Sequence, residues 1–353
     1  MTDRIAAQLK DISHAAMITS DVSRQYVSNF RSSAGVVFVT RDKSYLIIDG
    51  RYYEKAAQQA QGVEVILLSD MRKQLYSLIE EHGIKVISIE SKSVTVKEHE
   101  DYKKLFKDLA VDASDWLSDT LEKMRIIKSE DEIQKVIKAQ RIAEAALNKL
   151  ISALRPGLTE KQVASLLDFY MMDLGADGIS FDTIAASGEN SACPHAVPTD
   201  KQLQKGEFLT LDFGAIADSY HSDMTRTLCI GEPTEEMEKV YNAVWGANTD
   251  ATKAVRADIT GKVVDSVARS TLEAWGYAEY FTHGLGHGVG LEIHEAPVVS
   301  SKSPYTLHEG MIITIEPGVY IPHKFGVRIE DMVVVTTEGC RALTKAPKTL
   351  MKI

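Results

Sequence analysis

The sequence predicts two domains, an α/β unit followed by a larger α+β unit built from two similar halves. Three observations carry that reading. Short β-branched runs alternate with polar-periodic helical stretches over the first third of the chain. The remainder runs helix, strands, helices, strands. Within it, Leu209-Thr-Leu-Asp-Phe-Gly214 and Ile313-Thr-Ile-Glu-Pro-Gly318 echo each other, each an apolar-Thr-apolar run closing on an acid and a turn. With 353 residues the chain is too long for one ordinary domain and comfortable for two.

Taken in order, strands are expected at residues 15–19, 35–40, 44–49, 63–68 and 85–89, where Val and Ile cluster. Helices at 52–61 and 70–82 fall between them, giving a mixed sheet flanked by helices. Residues 117–150 read as one long helical region: Ser129-Glu-Asp-Glu132 is a capping-box pattern, and Ile133, Val136, Ile137, Ala143, Leu147 and Leu150 space an apolar stripe. The domain boundary is placed near residue 122, giving domains 1–122 and 123–353. Beyond it come a helix at 160–172, the strand-like Phe181-Asp-Thr-Ile-Ala-Ala-Ser187, the first acid-bearing strands, helices at 242–255 and 262–275, and the second acid-bearing strands.

Composition excludes several classes. A net charge of −10 argues against nucleic acid or an anionic membrane surface, both of which want a basic face. No apolar run approaches the roughly 20 residues of a membrane span, and Met1-Thr-Asp-Arg-Ile-Ala-Ala7 lacks the basic-then-apolar layout of a signal peptide, so a cytoplasmic enzyme is expected. Cys193, Cys229 and Cys340 are widely spaced and form no Cys-x-x-Cys pair; they are expected to be reduced bystanders.

The chemistry lies in the echo. Asp212 and Glu316 end its two runs, and each run is followed by a second strand-like segment with its own acid, Asp223 and Glu330. Any one of these alone reads as a turn cap or a partner for a surface lysine; four in this arrangement read as a site. Residues two apart on a strand share a face, which puts Asp223 with Thr225 and Glu330 with Arg328. Acids at buried strand positions need compensation, and only Arg226 and Arg328 lie close in sequence. Two divalent cations held between the strand pairs would supply it, with His287 completing the set; hard oxygens with one imidazole suit manganese, cobalt, iron or zinc. His287 lies in His283-Gly-Leu-Gly-His-Gly-Val-Gly-Leu-Glu-Ile-His-Glu295, too glycine-rich for a helix and out of register for a dinucleotide loop. Alternating glycines instead let backbone approach a crowded site. His283 reads equally as structural or functional, His287 and His294 as functional, and the loop residue His195, taken alone, as a surface histidine.

Asn190-Ser-Ala-Cys-Pro-His-Ala196, Leu211-Asp-Phe-Gly214, Ser222-Asp-Met-Thr-Arg-Thr227, Gly286-His-Gly-Val-Gly-Leu-Glu-Ile-His-Glu295, Thr314-Ile-Glu-Pro-Gly-Val-Tyr320 and Gly326-Val-Arg-Ile-Glu-Asp331 together resemble the metallopeptidases of the prolidase and aminopeptidase P family. Tyr26-Val-Ser-Asn-Phe-Arg-Ser-Ser-Ala-Gly35 and Asp49-Gly-Arg-Tyr52 resemble its N-terminal domain, and Met124-Arg-Ile-Ile-Lys-Ser-Glu-Asp-Glu-Ile133 its interdomain helix. The resemblance implies a creatinase-like N-terminal domain and a pita-bread catalytic domain with pseudo-twofold symmetry, normally in a homodimer. It implies Asp212, Asp223, His287, Glu316 and Glu330 as ligands of two divalent ions, manganese foremost, with Asp223 and Glu330 shared. It moves His195 from bland to functional, beside His294, in substrate binding and transition-state stabilisation, and gives Arg328 and Tyr320 supporting roles.

The implied reaction is hydrolysis of the bond between a first residue and a following proline, by a hydroxide bridging the two metals, with Glu316 as general base. The substrate is then a short peptide with proline second. The leading reading is an Xaa-Pro dipeptidase; the alternative is an aminopeptidase P acting on longer chains, since the ligand motifs are common to both. Methionine aminopeptidase, metal-free creatinase and a non-catalytic module of the same fold are more distant, because the five ligand positions are intact and the N-terminal domain is present.

Overall fold

The computed structural model describes residues 1–353, which form two units, Met1–Arg125 and Ile126–Ile353. The first runs α1 (Thr2–Ala6), β1 (His14–Ile18), α2 (Asp21–Ser28), β2 (Val36–Val39), β3 (Ser44–Ile48), α3 (Tyr53–Gln59), β4 (Glu64–Leu67), α4 (Met71–His82), β5 (Val86–Ile89), α5 (Val96–Leu105), β6 (Ala110–Asp112) and α6 (Trp116–Ile126). Its six strands lie in the order β4-β3-β2-β1-β5-β6. β2 is antiparallel to both β1 and β3, and the other neighbours are parallel, so the sheet is mixed as expected. β1, β2 and β3 are buried along their whole length, which is why they read as unbroken apolar runs rather than as alternation. α4 starts where Asp70 accepts from the Lys73 amide and stops at Gly83, whose positive φ ends the helix.

The second unit runs α7 (Glu130–Ala153), α8 (Glu160–Asp173), β7 (Gly178–Ile179), β8 (Ile184–Ser187), β9 (Glu207–Phe213), β10 (Ala215–Ala217), β11 (Tyr220–His221), β12 (Met224–Ile230), α9 (Glu235–Ala254), α10 (Gly261–Ala274), β13 (Gly286–Gly288), β14 (Glu295–Val299), β15 (Ile312–Ile315), β16 (Gly318–Ile321), β17 (Phe325–Arg328), β18 (Asp331–Val335), β19 (Cys340–Ala342) and β20 (Met351–Lys352). The expected single helical region at 117–150 is two helices. Ser129 leaves the helical conformation to cap α7 reciprocally with Glu132, and Ile127 bridges to Met311 instead of continuing α6. α9 begins at Glu235, well before the expected 242, because Thr234 caps it by accepting from the Met237 amide.

The echoed segments are two antiparallel pairs, β9 with β12 and β15 with β18. α7 and α8 cover the first pair, Leu147, Val163 and Leu167 packing with Leu209, Leu211 and Leu228. α9 and α10 cover the second, Val240, Val244 and Val264 packing with Ile313, Ile315 and Val333. Each pair therefore has one face sealed by helices and keeps its acids for the other. No helix is long and apolar enough to cross a membrane.

Candidate metal centre

Strand ends deliver the side chains. Asp212 stands opposite Thr225 in the β9/β12 ladder, and Asp223 directly precedes β12. Glu316 follows β15, and Glu330 lies in the two-residue link between β17 and β18. His287 is the middle residue of β13, which pairs with β15 on one side and β14 on the other. The flanking glycines allow that crowding: a Cβ on Gly286 would lie 2.0 Å from the Thr314 carbonyl oxygen, and one on Gly288 2.3 Å from that of Ala296.

His287 Nδ1 lies 3.0 Å from the Gly288 carbonyl oxygen, which only accepts, so the ring proton is assigned to Nδ1 and Nε2 presents a lone pair. Burial holds this imidazole neutral, its pKa pushed down to about 4. Yet Nε2 stands 3.5 Å from Asp223 Oδ2 and 3.5 Å from Glu316 Oε1, so that with both carboxyls ionised an acceptor faces acceptors. Asp212 Oδ1 and Glu330 Oε1 are likewise buried with no hydrogen-bond partner. Burial, and then the neighbouring carboxylates, push Asp223 and Glu330 well above the usual carboxylate range. Burial also raises Glu316 to about 8, against the pull of Arg328. Such a donor set lacks positive charge at its centre, and a divalent cation fits it. Asp223, His287 and Glu330 offer ligand atoms that all lie within 4.8 Å of one another.

Arg328, buried beside the acids, orients them. It donates to Asp212 Oδ2 at 2.7 Å, Tyr320 Oη at 2.8 Å, Thr225 Oγ1 at 3.0 Å and the Pro194 carbonyl at 3.1 Å. Thr225 in turn donates to Glu330 Oε2 at 2.8 Å. His283 Nδ1 faces the Gly284 carbonyl at 2.7 Å, which leaves Nε2 to accept from Tyr320 Oη at 2.9 Å. Asp212, Asp223, His287, Glu316 and Glu330 thus come together, with Arg328 and Thr225 bonded to them and Tyr320 bonded to Arg328. His195 and His294 line the cavity of about 540 Å³ above the acids. The His294 ring lies 4.3 Å from that of His287, centre to centre.

His283, which the sequence left equally structural or functional, and an apolar wall complete the site. His283 belongs to the hydrogen-bonded set around Arg328, and its place in the same glycine-dense motif was the available signal. Phe181, Ile184, Ile293 and Val298 form apolar wall around the acids; isolated apolar residues on separate elements give no such signal.

Buried carboxylates and a neutral imidazole on the floor of an open cavity, with neither serine nor cysteine in its lining, define a metal-dependent hydrolase. The chain belongs to metallopeptidase family M24, whose sequence pattern matches residues 134–337, and residues 3–127 match the Creatinase/Prolidase N-terminal domain. It therefore joins a creatinase-like N-terminal domain to a pita-bread catalytic domain, as the motifs implied. It is 38% identical over 338 residues to an Xaa-Pro dipeptidase of Pyrococcus horikoshii, covering 96% of this chain and 94% of that one. Its fold matches an Xaa-Pro dipeptidase from Bacillus anthracis with a TM-score of 0.95 and 38% identity, covering 100% and 99% of the two chains. It also matches an X-Pro aminopeptidase from Thermotoga maritima with a TM-score of 0.92 and 36% identity, covering 96% and 97%.

Proposed function

We propose that this chain is an Xaa-Pro dipeptidase that holds two divalent cations, manganese foremost, between Asp212, Asp223, His287, Glu316 and Glu330. The observation that carries the reading is the cluster of acids around His287 Nε2, with Asp223 Oδ2 and Glu316 Oε1 each at 3.5 Å and Asp212 Oδ1 and Glu330 Oε1 buried without a hydrogen-bond partner. Cations bound there would acidify a water and polarise a carbonyl oxygen. The chain's own groups do the rest. Glu316 takes a proton from the attacking water at its carboxylate and returns it to the departing proline nitrogen. His294 and His195, on the cavity wall, hold the substrate and donate to its carbonyl oxygen as that oxygen gains charge. Arg328 fixes Asp212, and Thr225 fixes Glu330. The Xaa-Pro bond has no amide hydrogen to grip, so a site that works on the carbonyl side suits it. The proposal extends to a cytoplasmic homodimer, with neither nucleic acid nor membrane as partner.

A second reading, an aminopeptidase acting on Xaa-Pro-Yaa chains, is favoured by the likeness to the Thermotoga maritima X-Pro aminopeptidase. Metal-reconstituted protein offered an Xaa-Pro dipeptide and an Xaa-Pro-Yaa tripeptide, with a chelator control, decides between them. Dipeptide cleavage alone supports the first reading and tripeptide cleavage the second. Cleavage of neither, or an active Asp223→Ala variant, refutes both.

A further inference from the structure

We infer that Glu160, which lies outside the metal centre, is a positioning residue that sets where His195 stands in the cavity; this rests on the reading above that His195 binds the substrate. Glu160 is the first residue of α8 and is fully buried. Its Oε1 accepts from the amide and hydroxyl of Ser187 at 2.6 and 2.8 Å. Its Oε2 accepts from the Asn190 side-chain amide at 2.8 Å and from the amide and hydroxyl of Thr199 at 2.9 and 2.6 Å. A carboxylate can accept all five; an amide in its place turns a donor toward one of the two groups. A helix N-terminus also favours negative charge.

These donors come from both ends and the first turn of the segment 187–199, which carries Pro194 and His195. The far side of the segment is tied to β17 and Arg328: the Gly326 amide donates to Ser191 Oγ at 2.9 Å, and Arg328 Nη1 to the Pro194 carbonyl at 3.1 Å. The segment is therefore slung between α8 and the strand that leads to Glu330. His195 itself is exposed to the cavity, so its imidazole takes its position from the backbone that carries it. Filling the space beneath the segment needs only an apolar residue. Fixing both ends of the segment needs an acceptor with several sites, and that matters where a displacement of about 1 Å costs on the order of 100-fold in rate.

The test is a double-variant cycle on the full-length, metal-saturated protein. Steady-state kcat and KM on an Xaa-Pro dipeptide are measured for wild type, Glu160→Gln, His195→Ala and the combination, together with metal content and amide hydrogen exchange. Glu160→Gln should lower kcat/KM by about 10- to 100-fold with metal content unchanged. Adding it to His195→Ala should lower kcat/KM by no more than about twofold further, because the two changes act through one side chain. The Ser187 and Thr199 amides should exchange about tenfold faster in Glu160→Gln. Additive losses, a wild-type kcat/KM in Glu160→Gln, or unchanged exchange overturn the inference. If Glu160→Gln does not fold, Asn190→Ala with Thr199→Val, which removes two of the five bonds, is read by the same criteria. Should wild type cleave no Xaa-Pro substrate, the functional reading fails, and with it the role given to His195; the exchange measurement then still reports whether Glu160 holds the segment.

Discussion

Stripping metal from this protein should make its stability fall as pH rises, and the carboxylate cluster sets the size of the fall. Without a cation, Asp223 and Glu330 are pushed well up, and Glu316 rises from 4.5 to about 8. Between those limits the folded chain keeps protons that the unfolded chain has released. Stability from this source is complete below the ordinary carboxylate pKa and is lost as pH climbs through the raised ones. At roughly 1.4 kcal/mol per pH unit, Glu316 alone accounts for about 5 kcal/mol. Asp223 and Glu330 act in the same direction, but a proton on one relieves the others, so the three do not add. About 4 kcal/mol of this falls between pH 5 and pH 8.5, which for a domain of this size corresponds to a Tm lower by roughly 8–16 °C at the upper pH. Scanning calorimetry of chelator-treated protein should show that slope, and metal-saturated protein should lose most of it, because the cation replaces the protons. The net charge of −10 adds a general repulsion that also grows with pH. Asp223→Asn isolates the local part, since it removes one charge from the cluster and should flatten the metal-free slope. A metal-free Tm that is level or rising from pH 5 to 8.5, or a slope that Asp223→Asn leaves unchanged, would sink the electrostatic account.

Three further outcomes follow from the geometry. Arg328→Met removes a buried cation bonded to Asp212, Tyr320, Thr225 and Pro194; denaturant titration of metal-free protein should show a loss of about 3–5 kcal/mol, and Arg328→Lys should restore little of it, since a point charge cannot span four acceptors. Gly286→Ala sets a methyl 2.0 Å from the Thr314 carbonyl oxygen, backbone against backbone; β13 must shift from β15 at a cost of about 1–3 kcal/mol, and calorimetric titration should show weaker metal binding through His287. Tyr320→Phe deletes the hydroxyl between Arg328 and His283 Nε2; it should cost about 1–3 kcal/mol in stability and lower kcat more than it changes metal affinity, with equal metal content in both proteins as the check.

β1, β2 and β3, buried along their length, announced themselves in the sequence, whereas short strands such as β6 and β20 and the polar helix α5 did not. The run expected at 44–49 is β3, Ser44–Ile48, because a strand buried along its length is continuously apolar. α5 went unnoticed because it has no buried residue, so no periodic stripe marks it. Its one local sign was the Thr95-to-Glu98 capping box. The opening turns of α9 were missed for a related reason: Glu235, Glu236 and Glu238 hide a stripe that Met237, Val240 and Tyr241 carry to the core.

The site divides along the same line, between what is local in sequence and what is assembled by the fold. An acid on an apolar strand poses its question within five residues, so Asp212, Asp223, Glu316 and Glu330 could be picked out with no knowledge of where their strands meet. His287 was legible because glycines on both sides mark a backbone that must pass close to something. His195 offered neither sign. What holds its loop, Glu160 on α8 and Arg328 at the end of β17, lies far from it in the chain, and neither contact leaves a pattern near residue 195. The apolar wall of Phe181, Ile184, Ile293 and Val298 is a product of shape in the same way. Charge buried on a strand needs a partner and so advertises the centre, whereas the parts that choose and hold a substrate are satisfied by ordinary packing. That is why the residues alone pointed to a metal-dependent hydrolase, while proline entered only through resemblance to a family.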